Sequence, residues 1–106
     1  MIDERAYVVL MRVHLYFPEV GSLKGKRAEL NRVKALLRER LHTSVAEVGH
    51  QDSWQRSTLA VAIAARSVAL AEHTVDTVQR ALDGRFPQGV RIEYRLASWD
   101  DLESLG

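Results

Sequence analysis

From Tyr7 to Phe17 every odd position is apolar: Tyr7, Val9, Met11, Val13, Leu15 and Phe17. The even positions between them read Val8, Leu10, Arg12, His14 and Tyr16. Alternation with period two over this length specifies a β-strand with one wholly buried face and one mixed face. Pro18 and Gly21 then stop it.

The remaining elements follow from the same kind of pattern. Ser22 is a good N-cap for a helix starting at Leu23. Leu30, Val33, Leu37 and Leu41 recur at spacings of three and four and form its packing stripe, with an end near Leu41 and His42. Residues 43–48 are a short β-type run, and 49–53 supply turn chemistry. Residues 54–66 read as a second long strand, with Leu59, Val61 and Ile63 on one face and Ala60, Ala62 and Ala64 on the other. These two strands pair as an antiparallel hairpin. Ser67 caps a second helix striped by Ala71, Val75, Val78 and Leu82, which Gly84 and Pro87 close. Val90, Ile92, Tyr94 and Leu96 alternate with Arg91, Glu93 and Arg95 as the last strand.

The order strand–helix–strand–strand–helix–strand is the split β-α-β pattern. Right-handed crossovers put both helices on one face of a four-stranded antiparallel sheet, with the first and third strands central. The expectation is an α+β, ferredoxin-like β-α-β-β-α-β sandwich. It forms one domain over 1–106, with an acidic tail at 99–106 and one sheet face bare of helices.

Composition removes several function classes. The chain has no cysteine, so disulfides, thiolate catalysis and cysteine-ligated zinc are excluded. No apolar run approaches the roughly 20 residues of a spanning helix. The opening Met1-Ile2-Asp3-Glu4-Arg5 lacks the basic-then-apolar order of a secretory signal. A cytoplasmic protein with no membrane partner and no cofactor is expected.

The net charge of +1 conceals a segregation. Between Lys24 and Arg40 there are seven bases and two acids, Glu29 and Glu39, a balance of +5 against −4 elsewhere. Lys24, Lys26 and Arg27 crowd the first helical turn, where backbone N–H groups are unpaired and the helix dipole is positive. With Arg32, Lys34 and Arg38 they form a candidate phosphate-binding set for RNA. The competing reading is a solvated basic face steadied by Glu29 pairing with Arg32 and Lys26.

Two further surfaces are candidates. The bare sheet face would show Leu10, Arg12, His14 and Tyr16, then Ala60, Ala62 and Ala64, then Arg91, Glu93 and Arg95. Its small, flat centre suits close packing of another copy, so Leu10, Arg12, His14, Ala60, Ala62 and Ala64 form a candidate dimer interface, with a nucleic-acid platform as the lesser reading. In the hairpin, Gln51, Asp52, Trp54 and Arg56 form a candidate partner contact. The structural alternative has Asp52 capping the turn and Trp54 anchoring the loop on the core edge. The four histidines, His14, His42, His50 and His73, lack metal-ligand spacing apart from the weak pair His73 and Asp76. No nucleophile with a base and an orienting group is evident, so no metal site and no enzyme activity are expected.

Three stretches resemble the YlxP-like family (domain of unknown function 503) of small bacterial proteins. They are Leu15-Tyr16-Phe17-Pro18, then Ser22-Leu23-Lys24-Gly25-Lys26-Arg27, then Ser44-Val45-Ala46-Glu47-Val48 continued by Gln51-Asp52-Ser53-Trp54-Gln55-Arg56. The resemblance implies a ferredoxin-like fold and a link to translation, because family members are commonly encoded beside translation-initiation and ribosome-maturation factors. Gly25 and Gly49 depart from the family's charged and acidic residues there. The leading expectation is a non-enzymatic RNA- or ribosome-associated factor acting through the basic helix. The alternative is a homo-oligomeric scaffold or protein-interaction module using the bare sheet face.

Overall fold

A computed structural model describes residues 4–105. Residues 1–3 and 106, the ends of the expected domain and tail, lie outside the described residues. Strand β1 (Tyr7–Tyr16) leads to helix α1 (Leu23–Ala35), which runs into a π-helical turn at Leu36–Arg40. Strands β2 (Ser44–Gly49) and β3 (Arg56–Ala65) follow, then α2 (Val68–Arg85), β4 (Arg91–Ser98) and a short α3 (Trp99–Glu103).

The strands form one antiparallel sheet in the order β2-β3-β1-β4, the ferredoxin-like arrangement expected from the sequence. The odd residues of β1 face the helices and are buried from Val9 to Leu15. Leu59, Val61 and Ile63 of β3 join them, and Leu30, Val33 and Leu37 of α1 with Ala71, Val75, Val78 and Leu82 of α2 close the core. Each large aliphatic side chain buried this way contributes roughly 1.5–3 kcal/mol. Phe17 and Phe86 meet edge to face at 5.6 Å between centroids and seal the end of the core beyond β1 and α2.

Both helices start as their sequences dictate. Ser22 Oγ accepts from the Gly25 N–H and Ser67 Oγ from the Leu70 N–H. The ends differ more. The π turn closes with the Leu41 N–H donating to Leu36 O, and His42 then adopts φ 56° so that Thr43 can return both N–H and Oγ1 to Leu37 O. Helix α2 runs through Gly84 and ends at Arg85. Pro87 disfavours helical geometry at Phe86, so the proline ends the helix and the glycine does not. Strand β3 begins at Arg56, two residues later than expected. Ser53 Oγ accepts from the N–H groups of Gln55 and Arg56 and prolongs the turn. The acidic tail forms α3, held by a capping box between Ser98 and Asp101.

Candidate functional site

Helix α1 does not present its cations as a free basic stripe. Lys26 is fully buried at 0% exposure, and its Nζ donates to His50 O at 2.5 Å. His50 sits at φ 62°, and its carbonyl also accepts the Ser53 N–H, closing the β2–β3 turn. Lys26 therefore ties the first turn of α1 to the hairpin. It cannot reach a phosphate, which corrects its assignment to a nucleic-acid contact. Burial of the ammonium pushes Lys26 below the ordinary lysine range, and nearby Glu47 opposes that shift.

Arg27, Arg32, Lys34 and, in the π turn beyond, Arg38 have partners within the chain. Glu47 points toward α1 from β2, and its Oε1 accepts from Arg27 Nη1 at 2.7 Å and Lys34 Nζ at 3.3 Å. Arg32 pairs with Glu29, which also lies 3.8 Å from Arg85. Arg38 Nη2 donates to Val45 O at 2.7 Å. Lys24 is exposed. The pairing expected between Glu29 and Arg32 is present, whereas Lys26 bonds to the hairpin.

Glu47 is the residue this arrangement depends on. Burial alone would raise its pKa, but hydrogen bonds from Arg27 and Lys34 outweigh that and hold it below the usual carboxylate range. A carboxyl whose folded pKa is depressed stabilises the fold above its unfolded value, and that stability is lost as pH falls through the folded value. Glu47→Gln is expected to cost about 2 kcal/mol near neutral pH, because Arg27 and Lys34 lose their charged acceptor. Urea midpoints of wild type and variant should converge in acid. A gap that stays constant with pH would contradict this role.

The bare sheet face gathers the open charge. The register sets Leu10 opposite Ala62, Arg12 opposite Ala60, His14 opposite Thr58 and Tyr16 opposite Arg56. On the other side Leu10, Arg12 and His14 face Arg95, Glu93 and Arg91. The residues expected on this face from β1 and β3 all lie there, with Ala64 opposite Val8. Among the described residues of this face, Arg12, Arg56, Arg91 and Arg95 stand against a single acid, Glu93. Its Oε1 lies 2.7 Å from His14 Nε2 and 3.6 Å from Arg91 Nη1, and its Oε2 accepts from Arg12 Nη2 at 3.3 Å. The hydrogen bond from His14, then the charges of Arg12 and Arg91, hold Glu93 below its ordinary value. Arg56 stacks on Tyr16, its guanidinium carbon 5.2 Å from the ring centroid. A cleft of 590 Å³ opens at the end of the sheet beside this face, lined among others by His14, Tyr16, Arg56 and Arg91 and, from α2, by Gln79 and Asp83.

Of the hairpin residues, only Arg56 belongs to this surface. Gln51 and Asp52 are exposed at the turn, which Ser53 caps in place of Asp52. Trp54 is 56% exposed and does not anchor the loop on the core. Among the described residues no group of three metal-ligating side chains converges, and no helix is long and apolar enough to cross a membrane.

The family described as "Protein of unknown function (DUF503)" matches residues 8–95. Uncharacterized protein YlxP of Bacillus subtilis is 34% identical over 70 residues, covering 66% of this chain and 75% of that protein. Among solved structures, the de novo designed protein Foldit4 is similar with a TM-score of 0.53 at 16% identity, over 87% of this chain and 96% of that one. The 30S ribosomal protein S6 from Thermotoga maritima aligns with a TM-score of 0.45 at 15% identity, over 93% and 94% of the two chains. The first structural likeness concerns fold alone, and the second is too distant to carry an argument.

Proposed function

The chain belongs to the DUF503 family of proteins of unknown function, and from the charge of its open sheet face we propose that it is a non-enzymatic RNA-associated protein. One observation carries this reading: four arginines and one glutamate share a face that no helix covers. Arginine forks match phosphate oxygens; Arg12 and Arg91 share the one carboxylate of Glu93, whereas Arg56 and Arg95 pair with no acid among the described residues. The Tyr16–Arg56 stack offers a planar surface on which an unpaired base can lie. The alanines of β3 keep the middle of the face low, so a strand of RNA can cross it. The same charge argues against the face closing on a second copy of itself. A two-fold contact sets each patch against its twin, and like charges would then meet.

This reading moves the RNA contact from α1 to the sheet and keeps the link to ribosome maturation or translation that the family resemblance implies. It is tested by titrating labelled single-stranded RNA, and isolated small ribosomal subunits, with the full chain at several salt concentrations. Four phosphate contacts on single-stranded RNA should give a log–log salt slope of about −3, at roughly 0.7 per contact. Glu93→Gln should tighten binding a few-fold, because it removes the face's one acid. No binding at low salt, or weaker binding by this variant, would reject the proposal.

A further inference from the structure

We propose that two copies of this chain form a dimer by exchanging their α3 helices. Helix α3 is well capped yet almost unsupported. None of its residues is buried, and its main packing among the described residues is on β4, the strand it continues. Its root is fixed where the Trp99 N–H donates to Ala6 O at 2.9 Å. Trp99 and Leu102 lie one turn apart at 67% and 47% exposure, and Leu105 follows at 81%. They form an apolar stripe at helical spacing, with Asp100 and Glu103 beside it. A tryptophan and a leucine held in water on an ordered helix, with Leu105 just past its end, are a surface without its partner.

The complementary surface lies at the same end of the molecule. A groove of 490 Å³ is lined by Tyr7, Ala64, Ala65, Arg66, Leu70 and His73, with further residues at its rim. Its lining is mostly apolar, while Arg66 brings the opposite charge to that of Asp100 and Glu103 on α3. In the register Tyr7 lies opposite both Ala65 and Ser98. The groove and the root of α3 therefore flank the start of β1 on opposite sides, and a chain's own α3 lies across β1 from its groove. A two-fold axis near the start of β1 would carry each α3 into the other copy's groove. Every contact is then made twice, and the pair is closed. The occupant is a second copy because groove and stripe match in both apolar character and charge. The open sheet faces stay outside this contact.

Light scattering on the full chain across a dilution series tests this. The expected mass is that of two chains of 12.0 kDa each. Trp99→Ala with Leu102→Ser should give a monomer whose circular dichroism is unchanged. Arg66→Glu should do the same, and adding Asp100→Arg to it should restore the pair. Ala62→Arg, on the sheet face, should leave the mass of two chains intact. A wild type that is monomeric at every concentration overturns the proposal, whether α3 then meets a different protein or nothing. So does a dimer that survives loss of Trp99 and Leu102, or one that Ala62→Arg dissolves.

Discussion

Lys26→Glu is expected to leave little folded protein at room temperature. The site is closed to water, its carbonyl partner His50 O accepts and cannot donate, and Glu47 is a nearby acid. Breaking a buried charge interaction costs about 3–5 kcal/mol, against a total stability of about 5–15 kcal/mol for a domain. Here a like charge is added as well. Circular dichroism in a urea series reads this directly. Lys26→Met is the informative companion: it keeps the volume of the side chain and loses mainly the bond to His50, for about 1–2 kcal/mol. The methionine variant should fold and bind RNA as wild type does. Were it to fold normally and lose RNA binding, Lys26 would be a contact after all and the buried arrangement would be wrong.

Arg56→Glu combined with Arg95→Glu should reduce affinity for single-stranded RNA on the order of a hundredfold at low salt, about tenfold for each phosphate contact reversed. The salt slope should become shallower by about 1.4, since two contacts at roughly 0.7 each are gone. Both side chains are exposed, so the fold should survive. The matched control is Arg27→Glu with Lys34→Glu. It reverses as many charges on α1 and should destabilise the protein through Glu47 while leaving most RNA affinity in place. If the control pair weakens binding more than the sheet pair, the basic helix is the binding element and the sheet proposal fails.

The fold was legible because its signals are periodic and redundant. Alternation from Tyr7 to Phe17 and the stripes through Leu30 and Ala71 each name a face, and the faces agree on one core. The errors fell where one local rule overrode another. Of Gly84 and Pro87, both named as closing α2, Pro87 alone does so, through backbone sterics. Ser53 held the turn that Asp52 was expected to hold.

The candidate site was less legible because net charge along a helix says nothing of where each side chain points. Lys26 stands four residues before Leu30, on the same stripe as Val33 and Leu37. That spacing places it against the sheet, and the signal was there to read. Glu47 shares its strand face with Val45, on the helix side, and so becomes the counter-charge of α1. The pairing of Glu47 with Arg27 and Lys34 joins residues 20 and 13 positions apart, which no local window connects. Arg91 and Arg95 were placed on the correct face by alternation, but their sum with Arg12 and Arg56 emerges only once the strand order is known.

Strand β2 is an outer margin of the sheet. On β2 the ladder is broken by the irregularity between Glu47 and Gly49, and the guanidinium of Arg38 occupies the Val45 carbonyl. An incoming extended segment would find an uneven row of hydrogen-bonding groups there, with the Val45 oxygen already taken. Growth of cross-β stacks from that margin is thereby blocked, and concentrated solutions should resist fibril formation as long as Arg38 keeps its place.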